Sequence, residues 1–211
     1  MYVPLLDRYL YRQPFEGESA RRYACAERPA FGDLDDRLLD GLAPALVPAL
    51  AGDRRRLLDL GCGPATFARR AAERFPALTV VAIDPSRDFA RRGVIRAVGE
   101  ALPLADRSID VAMCLSSIRH VRDRAATLRE LRRVVRGQLS IVELDPAADR
   151  RRIANHADRI GSPVLRRVFG PLVLRTAPPA EAIAGLAREA GFAVRALRGD
   201  PVQPVYIMEL A

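Results

Sequence analysis

Short apolar runs alternate with segments of helical pattern between residues 55 and 145. Two of these runs, Leu57–Leu60 and Val80–Ile83, have the length of buried strands, and a glycine turn and one helix fit between them. A helical segment at 124–136 and a strand at 138–144 continue the same order. The alternation predicts an α/β fold in which consecutive strands are mainly parallel.

The N-terminal 50 residues have a different pattern, with aromatic residues placed among many charges. Leucines recur there with the spacing of one helix face, at Leu34, Leu38, Leu39 and Leu42. This spacing predicts a helical cap that precedes the first strand.

A second departure lies at 146–179, where the alternation of strands and helices is interrupted. We expect two helices there, at 147–160 and 164–172. They follow a strand on the side where parallel sheets bind ligands, so we interpret the segment as an insertion that roofs a substrate pocket.

The C-terminal segment, 180–211, closes the predicted fold. Pro178 and Pro179 favour the start of a helix at 180–190, and Gly191 favours its end. Two strands are predicted after it, at 192–197 and 205–210.

Composition favours one domain, because 211 residues with 49% hydrophobic content can bury a single sizeable core. No apolar run is long enough for a membrane span, and the N-terminus lacks the basic and apolar regions of a signal peptide. We therefore expect a cytoplasmic protein. The odd number and wide spacing of Cys25, Cys62 and Cys114 favour neither disulfides nor a zinc site.

The net charge is +8, and all 34 basic residues are arginine. Arginine binds phosphate well, but this uniform usage is typical of genome-wide codon bias, so we expect no nucleic-acid partner. The insertion nevertheless concentrates arginines, namely Arg150, Arg151, Arg152, Arg159, Arg166 and Arg167. They form either a solvated helix face or a surface for an acidic substrate or carrier.

Gly61 and Gly63 follow the first strand, and Asp84 ends the second. Glycines allow a sharp turn and close approach to a ligand, and an acid at the next strand end can accept both hydroxyls of a ribose. This combination predicts a nucleoside pocket.

The identity of the nucleoside depends on the residues around the glycines. A dinucleotide site has a third glycine where this chain has Thr66, and Pro64 lies inside the turn. Asp59 would repel a pyrophosphate but suits a ligand that carries an ammonium and a sulfonium. These residues favour S-adenosylmethionine.

Four segments in register resemble the class I S-adenosylmethionine-dependent methyltransferases, especially the small-molecule group of ubiquinone and menaquinone methyltransferases. They are the glycine turn with Asp84, the stretch 99–110, the segment 116–123, and the helix and strand at 124–144. The resemblance covers about residues 55–145. It implies a Rossmann-like, doubly wound, mainly parallel seven-stranded sheet with an antiparallel closing hairpin and methyl transfer to a small organic acceptor.

The resemblance also implies cofactor contacts for S-adenosylmethionine and its product, S-adenosylhomocysteine. Gly61, Cys62 and Gly63 would pass beside the methionine moiety, and Asp59 would support its ammonium end. Asp84 and Pro85 would lie at the ribose. The adenine would be bordered by Glu100, Ala101 and Leu102, and the methionine end would be faced by Cys114 and Leu115.

His120 is the candidate general base, because it matches the second histidine of the family segment after the fourth strand. A structural histidine is the alternative, and His156 is a weaker candidate. Arg119 stands where relatives have another histidine and would bind an anionic substrate group, while Tyr23 would line the acceptor pocket. No metal ligand set is expected.

Three positions depart from the family pattern. Ala65 replaces the third glycine of the turn, and Val98 replaces an acid that contacts the adenine amino group. The 136–138 turn lacks a Pro-Gly pair, which we expect to affect packing. Val98 and the open role of His120 leave one alternative, a cofactor-binding partner protein without catalysis. The arginine count leaves another, an RNA methyltransferase.

Overall fold

The computed structural model describes residues 16–18, 20–21, 31, 33–47, 54–90, 93–159, 163–170 and 177–211. Its helices are α1 (Leu34–Leu46), α2 (Thr66–Arg74), α3 (Arg87–Ala90), α4 (Arg124–Val134), α5 (Arg150–Asp158), α6 (Pro163–Val168) and α7 (Ala180–Glu189). Its strands are β1 (Arg56–Leu60), β2 (Thr79–Asp84), β3 (Ile95–Arg96), β4 (Ile109–Leu115), β5 (Val135–Leu144), β6 (Val194–Gly199) and β7 (Val205–Leu210).

The seven strands form one sheet in the order β3-β2-β1-β4-β5-β7-β6. The first five strands are parallel, and β7 pairs antiparallel with both β5 and β6. The predicted doubly wound sheet with an antiparallel closing hairpin is confirmed. The strand order reverses at β1 and β4, so their carboxyl ends border the crevice where such sheets bind ligands.

Hydrophobic residues cover both faces of the sheet. Leu128 and Leu131 of α4 and Ile183 of α7 pack on one face, while Leu38 of α1 and Phe67 of α2 pack on the other. The leucine spacing that predicted a cap helix is therefore a buried stripe on α1. No helix in the described ranges is long and apolar enough to cross a membrane.

The junction of α4 and β5 differs from the prediction. We expected a helix to 136, a turn, and a strand from 138, but α4 ends at Val134 and β5 begins at Val135 without a turn. A Cβ atom on Gly137 would lie 2.3 Å from the carbonyl oxygen of Asp110. The missing side chain lets β5 run close to β4 beside the irregular register between Ile109 and Val111.

The predicted helices of the insertion are present, but α5 begins at Arg150 rather than at 147. The side chain of Asp149 accepts a hydrogen bond from the Arg152 backbone at 2.9 Å, so it caps the helix at this point. Strand β6 begins at Val194, two residues later than predicted, although Ala193 already pairs with Ala211 through two backbone hydrogen bonds.

The loop between β6 and β7 joins α1 to α5 through Asp200, which is 2% exposed. Both carboxylate oxygens of Asp200 accept hydrogen bonds from Arg37 of α1, at 2.9 and 3.0 Å. Its carbonyl oxygen accepts one from Arg152 of α5 at 2.5 Å. Arg37, Asp200 and Arg152 are called the clasp below.

His156 adds a second connection between the same parts. Its ring stacks on Phe169 at 4.6 Å and meets the edge of Phe31 at 4.9 Å. Its Nδ1 lies 2.8 Å from the side-chain oxygen of Gln203, and Gln203 donates its amide to the carbonyl of Phe31. Burial lowers the pKa of His156, the hydrogen bond with Gln203 opposes this effect, and the charge of Arg159 lowers the pKa further.

Stability should therefore fall as the pH drops through the unfolded pKa of His156. Below about pH 6.5 the unfolded histidine takes up a proton more readily than the buried one, which favours unfolding by at most about 1.4 kcal/mol at about pH 5.5. His156→Gln should remove this part of the pH dependence. Urea unfolding of both proteins at about pH 7.5 and 5.5 measures it. Parallel losses of stability in the two proteins would contradict the expectation.

Candidate functional site

The turn after β1 lies against the end of β2. The backbone N–H groups of Gly61 and Cys62 both donate to the carbonyl oxygen of Ile83, at 2.8 and 3.1 Å. Gly61, Gly63 and Ala65 have φ values of 70°, 54° and 57°. The turn thus needs the left-handed conformation at three positions, and alanine occupies one of them.

Gly61 has a packing role that its sequence motif did not reveal. A Cβ atom there would lie 2.4 Å from Cβ of Ser117, the second residue after β4. The Ser117 hydroxyl also donates to the carbonyl of Leu60 at 2.7 Å. The glycine turn and the segment after β4 are therefore in direct contact.

Asp84 holds the turn from the end of β2. Its Oδ2 accepts a hydrogen bond from Gly63 N–H, and its Oδ1 accepts one from Ser86 N–H, both at 2.9 Å. Burial raises the pKa of Asp84, and these two hydrogen bonds act against the rise. The carboxylate is oriented at the predicted ribose position, with acceptor capacity left on each oxygen.

A second buried carboxylate, Asp59, lies on β1 next to Met113 of β4 and is 2% exposed. Burial, followed by the charge of Asp59, raises the pKa of Cys62 and raises the pKa of Cys114 to about 12. Both thiols therefore stay protonated at neutral pH. The negative charge concentrated here suits a cationic ligand.

The predicted adenine segment is fixed to α4 at two places, the N-cap residue Asp123 and Glu130 in the second half of the helix. Glu100 accepts a hydrogen bond from Asp123 N–H at 2.7 Å, and Leu102 N–H donates to Glu130 at 2.9 Å. The Ala101 side chain is exposed, and Val98 is 47% exposed. An adenine contact by residues 100–102 stays a prediction.

His120 lies in the segment after β4 and is half-buried. Its backbone N–H donates to the carbonyl of Ser117 at 2.9 Å. Arg124 of α4 donates to the carbonyls of Ile118 and Arg119, both at 3.2 Å. The segment that carries the candidate base is thereby tied to α4 and, through Ser117, to the glycine turn.

Arg119 lies in a buried ion pair. Arg119 is 3% exposed, and its Nη1 lies 3.8 Å from Oε1 of Glu143. Its backbone N–H donates to Oε2 of the same carboxylate at 3.3 Å. Burial raises the pKa of fully buried Glu143, and Arg119 opposes the rise. An anionic substrate contact by Arg119 stays a prediction, beside this observed pairing.

The structure therefore brings the glycine turn, Asp59, Asp84, Cys62 and Cys114 together at one edge of the sheet. Leu115 is the last residue of β4, and Pro85 accepts a hydrogen bond from Arg96 at 3.2 Å. Tyr23 and Cys25 lie outside the described residues. Within the described ranges no group of three or more potential metal-binding residues occurs.

Sequence reasoning missed Ser116, Ser117 and Glu143. The one available signal was for Glu143, an acid within an otherwise largely apolar strand. The serines carry no motif, because their contacts depend on how β4 ends beside the glycine turn.

Comparison with known proteins gives consistent results. Residues 58–141 match the family described as methyltransferase domain. A 37.1 kDa protein of transposon TN4556 from Streptomyces fradiae is 34% identical over 149 residues, which are 65% of this chain and 43% of that protein. Demethylmenaquinone methyltransferase of Roseiflexus castenholzii is 29% identical over 161 residues, which are 65% of this chain and 67% of that enzyme.

Among solved structures, a SAM-dependent methyltransferase from Aquifex aeolicus aligns with a TM-score of 0.66. The alignment covers 90% of this chain and 95% of that chain, at 14% identity, and so supports the fold. The chain spans less than half the length of the Streptomyces protein.

Ala65→Gly should stabilise the protein. Alanine in the left-handed region costs about 1–2 kcal/mol, and glycine costs about 0.5–1 kcal/mol in unfolded-state entropy, so we expect a gain of about 0.5–1 kcal/mol. Ala72→Gly is the matched control, because Ala72 is exposed within α2 and glycine should cost about 0.5–1 kcal/mol there. Denaturant unfolding measures both changes. A loss of stability in Ala65→Gly would show that the turn is not strained at this residue.

Proposed function

Because the chain carries a class I S-adenosylmethionine-dependent methyltransferase domain, we propose that it transfers a methyl group from S-adenosylmethionine to a small organic acceptor. The observation that carries the proposal is the turn held between Asp84 and Ser117, next to buried Asp59. The likeness to demethylmenaquinone methyltransferase supports an acceptor from biosynthesis. We place the reaction in the cytoplasm.

The residues at this edge fit the cofactor in charge and in hydrogen-bonding capacity. Asp84 would accept from the ribose hydroxyls, and Asp59 would support the ammonium group of the methionine moiety. The glycine turn would pass beside the same moiety, with Cys114 and Leu115 opposite. When bound, the cofactor supplies a methyl group on a sulfonium, which is a good leaving group.

The chain's own residues have two tasks, to align the acceptor and to accept its proton. Alignment in a closed pocket can contribute roughly 7–11 kcal/mol, whereas a general base adds about 10²–10⁴-fold. We assign the role of proton acceptor to His120, because its backbone is fixed to Ser117 beside the glycine turn. Glu143 pairs with Arg119 and compensates its positive charge. Arg119 would therefore not repel the positive sulfonium of the bound cofactor.

We propose that acceptor contacts come from the N-terminal cap, residues 1–50, and the insertion, residues 146–179, within one domain of 1–211. The sheet edge is committed to the cofactor, so specificity requires added elements above it. The clasp supports this assignment, since Asp200 connects α1 of the cap, through its carboxylate, to α5 of the insertion, through its backbone carbonyl.

Asp84→Asn should weaken the binding of S-adenosylhomocysteine by about 1.5–3 kcal/mol, because hydrogen bonds to a charged acceptor are lost. The binding free energy of the nucleoside 5′-methylthioadenosine should fall by the same amount, because this ligand retains the ribose. Calorimetric titration measures both affinities. Asp106→Asn is the control, since the Asp106 side chain is 74% exposed. Equal affinities in wild type and Asp84→Asn would remove Asp84 from the site.

His120→Ala should lower methyl transfer by about 10²–10⁴-fold and leave the affinity for S-adenosylhomocysteine unchanged. Formation of S-adenosylhomocysteine is measured with a panel of small acceptors that includes reduced naphthoquinones, and with RNA. Turnover within about twofold of wild type would make His120 structural. Cofactor binding without transfer to any acceptor would favour the partner-protein alternative, and transfer to RNA alone would favour the RNA methyltransferase.

A further inference from the structure

Ser116 is the first residue after β4, and it has an unfavourable backbone conformation. Its φ is 52°, and only two other non-glycine residues of the described ranges, Ala65 and Arg107, have a positive φ. Arg107 lies on an exposed turn, whereas Ser116 follows a strand whose residues are all buried. A left-handed residue at a strand end by a ligand crevice is a feature that functional sites retain against its cost.

The hydroxyl of Ser116 adds an independent observation. Its Oγ is buried and makes no hydrogen bond within the described part of the chain. Each of the other serines there has a partner for its hydroxyl: Ser86, Ser108, Ser117 and Ser140. Burying a hydroxyl without a partner is unfavourable, so this oxygen is suited to a group that binds from outside the chain.

The position of Ser116 identifies which part of a ligand could reach it. Its backbone N–H donates to Val142 of β5 at 2.7 Å, so the residue is fixed at the carboxyl edge of the sheet. The next residue, Ser117, packs against Gly61. Ser116 is therefore next to the glycine turn, on the side where the methionine moiety is placed under the proposed function.

We propose that the Ser116 hydroxyl binds the amino-acid end of S-adenosylmethionine and S-adenosylhomocysteine. A hydroxyl can donate to a carboxylate and accept from an ammonium, and both groups occur at that end of the cofactor. This assignment rests on the proposed placement of the cofactor. It explains the unfavourable backbone and the buried oxygen together.

The test compares two ligands that differ in the amino-acid end. S-adenosylhomocysteine has it, and 5′-methylthioadenosine lacks it. Ser116→Ala should weaken S-adenosylhomocysteine by about tenfold or more, as expected for a hydrogen bond to a charged group, and leave 5′-methylthioadenosine unchanged. Calorimetric titration measures both, and Ser108→Ala, whose hydroxyl bonds to Ala105 away from the turn, is the control.

Ser116→Gly separates binding from structure. Glycine removes the hydroxyl and also removes the energetic cost of the left-handed conformation. This variant should therefore have a higher melting temperature and the same tenfold loss of affinity for S-adenosylhomocysteine. A purely structural serine would give no loss of affinity in a well-folded Ser116→Gly protein. The Ser116→Gly variant also keeps the test valid if Ser116→Ala does not fold.

Two results would overturn the assignment. One is an affinity of Ser116→Gly for S-adenosylhomocysteine within about twofold of wild type, which is below the effect of a hydrogen bond to a charged group. The other is equal weakening of both ligands, which would place Ser116 at the nucleoside. Neither measurement requires methyl transfer. Failure to find an acceptor would count against the proposed function and leave this result standing.

Discussion

The contact between Gly61 and Ser117 is the constraint on which the site depends. It leaves no space for a side chain at Gly61, and the Ser117 hydroxyl fixes the end of β1 through Leu60. The glycine turn and the segment with His120 are therefore parts of one packed unit. Interior packing of this kind transmits small shifts rather than absorbing them, so the relative position of the two segments is well defined.

Charge is arranged around this unit in two separate layers. Asp59 and Asp84 give the carboxyl edge of the sheet a negative character, whereas Glu143 behind the next segment is compensated by Arg119. Breaking a buried pair by removing one partner is strongly destabilising, because the remaining charge has no compensation. Arg119 and Glu143 thus form one structural element despite their distance in the sequence.

The sequence predicted what depends on local pattern. Strand alternation, the glycine turn with Asp84 and the leucine stripe of α1 are local or nearly local signals, and they predicted the sheet, the cap helix and the contact between the turn and the end of β2. The junction at Gly137 was predicted incorrectly, since its form depends on the backbone of Asp110 in another strand. Ser116, Ser117 and Asp200 have their roles through contacts across the sheet edge, and no spacing in the chain encodes those contacts.

The clasp has a consequence for how related domains could exchange this insertion. Arg37 contributes from the cap and Arg152 from the insertion, while Asp200 belongs to the closing hairpin of the sheet. Within the described part of the insertion, residues 163–170 and the exposed face of α5 take no part in these bonds. An exchanged insertion would therefore need an arginine in its first helix to keep the clasp, and a histidine in that helix with an aromatic partner such as Phe169 to keep the second connection.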